Sequence, residues 1–363
     1  ALASIAPPPP LPRAPPPAAR IDPGPLGGVG GFLLTPEQQR RHAHTLPPLV
    51  FVKTHKTAST TLQNLCFRMA DWRNLSVLLP EPPPTPPASA DSEYAGLRLG
   101  SKKGLGRLGW PAPFLGPTPN FQPEATDVIA MHAVWSRLMA PSTRGGRPFT
   151  FTILRAPAAQ AVSSWAYFRA SHANLTSFGQ MYARVGALRR SGPADRVAAH
   201  WLNPMAHDLG WYESHGYSTA YDHDEGAIGA WLAAMDARLD LVLVLERLDE
   251  GLVLLARALR VPIEEVVTMH FRSSGAPPLR PTAEELVAMK RVNRVDFALY
   301  AHYVAAFERR WAGADDGAEA DLARLRAIRA RVREACQQEP SSQPDARQGC
   351  PPALITEEAE YTE

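Results

Sequence analysis

A short apolar run beginning at Leu49 is followed at once by two lysines and a histidine, in the stretch LVFVKTHKTASTT. Such a run, ending in a polar turn before a helical pattern, predicts a strand-to-helix turn, whose first helical N–H groups favour an anion. Lys56 would supply a point charge to a bound phosphate, and the small residues after it would let the phosphate approach the backbone. The residues expected to line this phosphate-binding loop are Lys53, Lys56, Thr57, Ala58, Ser59, Thr60 and Thr61.

The loop differs from that of the nucleotide triphosphatases, whose motif is G-x-x-x-x-G-K-[ST]. Lys56 precedes the small residues here, and both glycines are missing. A P-loop nucleotide kinase therefore stays a less favoured alternative. A purely structural interpretation is an N-capped helix after a strand, with both lysines in solvent.

A second strand, turn and helix is predicted in TILRAPAAQAVSSW, residues 152–165. Arg155 stands at the strand end, and its guanidinium offers a forked cationic grip for a phosphate. Ser163 follows eight residues later, about two helical turns on, where it can share the side that faces Arg155. Sulfotransferases that use 3′-phosphoadenosine 5′-phosphosulfate (PAPS) resemble this chain in both stretches, and the resemblance implies that Arg155 and Ser163 bind the 3′-phosphate of the donor.

The stretch FVKTHKTASTTLQNLCFR resembles the galactose 3-O-sulfotransferase family most closely. The resemblance of the chain to this family covers about residues 46–312. Further similar stretches are VIAMH, NPMAHDLG, LVLVLERLDEGLVLL and NRVDFALYAHY. The resemblance implies PAPS as donor, no metal, and transfer of sulfate to O3 of galactose in a glycolipid or glycan. It also implies a Golgi-lumen protein of type II topology, whose membrane anchor is not in this sequence.

Transfer of a sulfuryl group to an alcohol needs a base for the hydroxyl proton and cations for the charge on the leaving phosphate. His55 is the first candidate for the base because it adjoins Lys56, the catalytic cation, and His132 is the second. Asp208 could contact acceptor hydroxyls or stabilise the fold, and we expect Glu246 to cap the helix that follows it.

Several functions stay open at this level. The acceptor could be another sugar hydroxyl, such as O2 of a uronic acid. A catalytically inactive glycan-binding relative is a further alternative, although His55, Lys56, Arg155 and Ser163 are all retained. A net charge of +2 gives no strong field toward nucleic acid, so we expect no nucleic-acid partner.

The elements that must position these side chains alternate along the chain. Apolar runs near residues 49–52, 128–131, 149–154 and 239–245 are each read as strands, with helical patterns near 60–71, 158–169 and 249–260. This alternation predicts an α/β fold, a P-loop-like parallel sheet flanked by helices as in sulfotransferases, with a helical C-terminal part. Because ligands bind beyond the carboxyl ends of parallel strands, the basic residues should converge at one edge.

Composition predicts the domain organisation. Residues 1–45 are rich in proline and are predicted to form a stalk or linker. The resemblance implies a sulfotransferase domain over 46–312, and composition predicts a Pro/Gly-rich surface insertion at about 80–123, with 313–363 as a helix and polar tail. Cys336 and Cys350 could form a disulfide in an oxidising compartment, and the sequons at Asn74 and Asn174 are possible glycosylation sites.

Overall fold

The computed structural model describes residues 46–78, 114, 126–168, 177–187, 200–268 and 280–337. Within them, a parallel sheet has the strand order β2-β3-β1-β4-β5. Val52 lies opposite both Met131 and Thr152, so β3 ends level with β1 and β4 continues two residues further, to Leu154. The predicted parallel α/β fold is confirmed. The strands are β1 Leu49–Val52, β2 Val77–Leu78, β3 Val128–Met131, β4 Phe149–Leu154 and β5 Leu241–Val244.

Helices cover both faces of the sheet because both faces of its strands are apolar. Alternate strand residues point to opposite sides, so Phe51 and Val52 belong to different core clusters. The helices are α1 Ser59–Arg73, α2 Pro157–Phe168, α3 Phe178–Ala187, α4 Pro204–Asp208, α5 Trp211–Ser214, α6 Glu225–Asp236, α7 Leu248–Leu259, α8 Ala283–Val292, α9 Arg294–Ala312 and α10 Asp316–Gln337.

The predicted elements fall within two or three residues of the observed ones, and the differences have local causes. The last strand ends at Val244, before the predicted residue 245, because Leu245 already begins a 3-10 turn. The two-residue strand β2 and the short helices α4 and α5 were not predicted, since elements of this length show no periodicity.

Helix α10 packs on the same core as α7, across the boundary that composition predicted after residue 312. Five of its apolar side chains are buried in the cluster that also holds strands β1, β4 and β5. The described folded unit therefore continues to Gln337. The buried residues are Ala318, Leu322, Leu325, Ile328 and Val332.

Several predicted segments lie outside the described residues: the proline-rich stretch 1–45, most of the 80–123 insertion and the tail after 337, with Asn174 and Cys350. Within the insertion, Phe114 is described; it is fully buried and its N–H donates to Val134 O at 3.1 Å. Phe114 is therefore part of the core. Asn74, the first residue of the other sequon, is exposed at the end of α1. Among the described helices, none is long and apolar enough to cross a membrane.

Candidate active site

The loop after β1 adopts two left-handed backbone conformations without glycine. Lys56 has φ 60° and Ala58 has φ 61°, and Ala58 is the N-cap of α1. A left-handed conformation costs about 1–2 kcal/mol per non-glycine residue, so the loop stores strain of the kind found at ligand sites. Successive N–H groups in such a turn form a concave anion site at the N-terminus of α1.

The hydroxyls of the loop mostly support its own backbone. Thr54 donates from Oγ1 to Ile153 O on β4, while Thr57 and Ser59 both donate to Thr54 O. Thr57 and Ser59 are buried, whereas Thr60 is exposed and Thr61 is partly exposed. The groups of this loop that are available to a phosphate are therefore mainly its backbone N–H groups and the hydroxyls of Thr60 and Thr61.

Lys53 is directed into the protein. Its ammonium donates to Gln63 Oε1 at 2.7 Å, and Gln63 in turn donates to Ala130 O at the same distance. The side chain is 1% exposed. Lys53 thus links β1 to α1 and β3 and contributes positive charge beneath the loop, and its contact with a donor stays a prediction.

Arg155, at the end of β4, contacts the loop directly. Its Nη1 donates to Lys56 O at 3.1 Å, so the predicted 3′-phosphate and 5′-phosphosulfate residues are brought together. Burial lowers the pKa of the Arg155 guanidinium, and the nearby Glu246 carboxylate opposes that shift. A partly desolvated guanidinium is a strong partner for a phosphate.

Glu246 caps a different helix from the one expected. Its Oε1 accepts Ala156 N–H at 2.9 Å, at the start of α2, and its Oε2 accepts the hydroxyl of Tyr300 at 3.0 Å. It therefore fixes the turn that carries Arg155, not the start of α7. Sequence proximity favoured α7, but the parallel pairing of β4 and β5 puts α2 within reach.

Two further side chains of α2 are relevant to the donor site. Ser163 is partly exposed and lies about two turns into the helix, and its part in binding the 3′-phosphate stays a prediction. Gln160, which the sequence did not single out, donates from Nε2 to His55 O at 3.1 Å and to Ser164 Oγ at 3.0 Å. Gln160 thus joins α2 to the loop.

The ammonium of Lys56 lies over the ring of Tyr167, 3.6 Å from its centroid. Tyr167 is 40% exposed, whereas its neighbours Trp165 and Phe168 are buried between helices. A cation–π contact at a partly exposed site is worth about 0.5–1 kcal/mol, so the lysine can leave the ring for a bound anion.

His55 is held by Asp208, a residue 153 positions later in the chain. Asp208 Oδ2 accepts the backbone N–H of His55 at 2.8 Å and lies 2.8 Å from its Nδ1. Both side chains are buried. The sequence offered Asp208 as an acceptor contact or a stabilising residue, and this partnership with His55 was missed.

His132, at the end of β3, stacks on His55 with ring centroids 4.3 Å apart and planes at 30°. Burial lowers the pKa of His132 well below its usual range, and the charges of Lys53 and the neighbouring basic groups lower it further. Among the described residues, its buried Nδ1 has no hydrogen-bond partner. His132 is therefore a neutral imidazole at neutral pH, and both predicted bases lie at one edge.

The helix that carries Asp208 is fixed at its N-terminus by a second carboxylate. Asp296 accepts the backbone N–H groups of Met205 and Ala206 at 3.2 and 2.7 Å. Burial, partly offset by those bonds and reinforced by Asp208 and Asp222, raises the pKa of Asp296 to about 7. Asn203, just before this helix, is fully buried against Asn293 and the hydroxyl of Tyr212, so it supports the start of the helix.

The arrangement combines an anion-binding turn, two cations and a pair of imidazoles, of which one is oriented by a carboxylate. Such a set can hold a phosphorylated donor and accept a proton from an alcohol. In the described part of the chain, no group of three or more His, Cys, Asp or Glu side chains is arranged to hold a metal ion.

Known proteins are similar to this chain over most of the described region. A family model described as Galactose-3-O-sulfotransferase matches residues 9–91 and 118–352. Galactose-3-O-sulfotransferase 2 of Sus scrofa is 30% identical over 72% of this chain and 62% of the relative. Galactose-3-O-sulfotransferase 3 of Mus musculus is 30% identical over 79% of this chain and 63% of the relative.

Galactosylceramide sulfotransferase of Homo sapiens is 27% identical over 72% of this chain and 57% of the relative. The chain thus spans about three fifths of the length of these relatives. The family match includes the phosphate-binding loop, Arg155, Ser163 and the segment around Asp208. It also extends beyond residues 46–312, the range over which the sequence resemblance was recognised. The chain belongs to the galactose-3-O-sulfotransferase family.

Proposed function

We propose that the protein is a PAPS-dependent carbohydrate sulfotransferase that transfers a sulfuryl group to O3 of galactose in a glycolipid or glycan. The observation that carries the proposal is the edge of the sheet where the loop of Lys56, the guanidinium of Arg155 and the paired imidazoles meet, in a chain of this family. The curated relatives are named for sulfation of galactose or galactosylceramide.

In the proposed reaction, the acceptor oxygen attacks sulfur, an O–S bond forms, and the bond between sulfur and the bridging phosphate oxygen breaks. The acceptor proton passes to an imidazole, for which we propose His55 with His132 beside it. Lys56 leaves Tyr167 and stabilises the negative charge that develops on the bridging oxygen, which is lost with adenosine 3′,5′-bisphosphate. Arg155 and Ser163 bind the 3′-phosphate, and N–H groups of the 57–61 loop bind the 5′-phosphate.

The acceptor and the cellular location belong to the same proposal. We propose a galactose-terminated glycan or glycolipid as acceptor and the Golgi lumen as the site of action. The family resemblance and the relatives' printed names support these statements.

The test is sulfate transfer from ³⁵S-labelled PAPS to a panel of β-galactosides, galactosylceramide, N-acetylglucosaminides and uronic acid oligosaccharides. We expect labelled product from galactosides only, with the sulfate at O3 by linkage analysis. Transfer to a uronic acid instead would change the acceptor assignment. If no acceptor is labelled and the protein binds ATP but not adenosine 3′,5′-bisphosphate in calorimetry, the sulfotransferase proposal is wrong.

A further inference from the structure

The contact between Asp208 and His55 defines which nitrogen of the imidazole carries hydrogen. Oδ2 of Asp208 accepts the backbone N–H of His55 and lies 2.8 Å from Nδ1, and the two side chains are 0% and 2% exposed. A carboxylate oxygen at that distance is an acceptor, so the hydrogen belongs on Nδ1. The lone pair of His55 is then on Nε2, the ring nitrogen opposite Asp208.

We propose that Asp208 is a positioning residue for the proton acceptor: it fixes the ring of His55, keeps hydrogen on Nδ1 and stabilises the imidazolium formed when Nε2 takes the acceptor's proton. This inference rests on the proposed function, because transfer to an alcohol is what gives His55 a proton to accept. The proton moves only from the acceptor oxygen to Nε2 and is not passed on to Asp208, as in a serine protease triad.

The surroundings of Asp208 fix its carboxylate in place. Asp208 ends α4, a helix of five residues whose N-terminus is held by Asp296. Its carbonyl accepts the N–H of Trp135 at 2.7 Å, which joins α4 to the segment after His132. One residue therefore connects the turn after β1, the segment after β3 and the helix α4.

The burial of Asp208 near two other carboxylates is electrostatically unfavourable. Asp208 and Asp222 both raise the pKa of the buried Asp296, so like charges have been brought together away from water. Buried carboxylates in such a cluster reduce stability unless a partner compensates, and clusters of this kind are concentrated at functional sites. The partner of Asp208 is the histidine beside the phosphate-loop lysine, which favours a positioning role over a purely structural one.

The first test compares Asp208→Asn with Asp222→Asn. Asp222 is a matched control, since it is a buried carboxylate that accepts hydrogen bonds from Trp211 and Tyr212. An amide at 208 can donate to Nδ1 and favour the wrong tautomer, so we expect kcat to fall about 10²- to 10⁴-fold. KM for the donor and the affinity for adenosine 3′,5′-bisphosphate should change less than about threefold. For Asp222→Asn, kcat of the folded protein should stay within about threefold.

The double variant asks whether Asp208 acts through His55. In a His55→Ala background, Asp208→Asn should lower kcat by no more than about threefold, because the residue to be positioned is gone. A loss of the full single-variant size in that background would overturn the proposal. So would a loss of donor affinity in Asp208→Asn equal to its loss of kcat, which is the result that general misfolding of the site would give.

A second measurement reports on the wild-type protein and needs no activity. In ¹⁵N-histidine-labelled wild-type protein, with the His55 signals assigned by their loss in His55→Gln, we expect the Nδ1–H tautomer. A His55 that is Nε2–H overturns the proposal whatever the activity. If His55 has the expected tautomer but no acceptor is sulfated, the proposed function fails while the tautomer assignment stands, so the two failures are distinguishable.

Discussion

Lys56 combines two properties that the loop needs, a positive charge and a left-handed backbone conformation. In the nucleotide triphosphatase loop glycines provide the backbone freedom, and a separate lysine provides the charge. Here Lys56 has φ 60°, so its side chain leaves the loop in a direction that an ordinary φ would not give, and its ammonium rests on Tyr167. The strain of this conformation is offset by bonds to its neighbours, such as that from Arg155 to Lys56 O.

Lys56→Ala should lower kcat about 10²- to 10³-fold, because it removes the charge that we propose stabilises the bridging oxygen. Arg155→Ala should instead raise the dissociation constant of adenosine 3′,5′-bisphosphate, because we propose that Arg155 binds the 3′-phosphate, which is not part of the reacting centre. Steady-state kinetics and calorimetry separate the two effects. Lys290→Ala, on the exposed face of α8, is the control and should match wild type. Normal donor binding and turnover in both site variants would exclude the phosphate-loop assignment.

The two stacked imidazoles give different predictions. His55→Ala should lower turnover about a hundredfold or more, the usual contribution of a general base, with little change in donor affinity. His55→Asn should not rescue it, since an amide does not accept the proton at neutral pH. We expect His132→Ala to retain much more activity, because the carboxylate of Asp208 contacts the ring of His55, the proposed base. If His132→Ala is the inactive variant, the two roles are exchanged.

At the scale of elements, the ends of the strands were predictable and the contacts between distant segments were not. Four apolar runs ended at basic or titratable residues, and the rule for parallel sheets was enough to put Lys56, His132 and Arg155 at one edge. Asp208 lies in a five-residue helix 153 positions from His55, and no periodicity marks such a contact. The signal in the sequence was only the polar pair His207 and Asp208 inside an otherwise apolar stretch.

The burial of His132 at the end of β3 predicts a pH dependence of stability. The pKa of His132 in the folded protein lies below the unfolded value near 6.5, so below that pH the unfolded chain binds more protons. The free energy of unfolding should therefore fall below about pH 6.5, by up to about 1.4 kcal/mol per pH unit, and this loss is absent above it. Asp296, with its raised pKa, changes the free energy of unfolding in the opposite direction. This contribution is the same in wild type and in a variant of His132, so it cancels when the two are compared.

His132→Gln should reduce this acid loss. Urea unfolding at pH 7.5 and 5.5 should show a drop that is smaller in the variant than in wild type by about 1 kcal/mol. The glutamine keeps a polar side chain at the site, so the comparison isolates the titration. Equal drops in the two proteins would mean that His132 takes up a proton as readily when folded as when unfolded.

At the scale of the whole molecule, helices far along the chain pack on the sheet that carries the proposed catalytic edge. Core side chains of α10 pack with α7 against the face of the sheet opposite to α4 and α5. Ion pairs of the buried Arg329 and the exposed Arg326 with Asp249 join α10 to α7. The exposed pair contributes about 0–1 kcal/mol, and the buried apolar side chains of α10 contribute more.

Truncation variants test which terminal segments the protein needs for its stability, which composition alone does not show. Burying Leu322, Leu325, Ile328 and Val332 is worth about 1.5–3 kcal/mol each, together about 6–12 kcal/mol. A typical domain has only about 5–15 kcal/mol of stability, so a chain ending at residue 312 should not fold. We predict that the polar C-terminal end and the proline-rich N-terminal end lie outside the core. A chain ending at residue 338 and a chain lacking residues 1–40 should then both keep the wild-type Tm. Thermal unfolding by circular dichroism tests all three, and a cooperative transition near the wild-type Tm for the 312 truncation would show that α10 is dispensable.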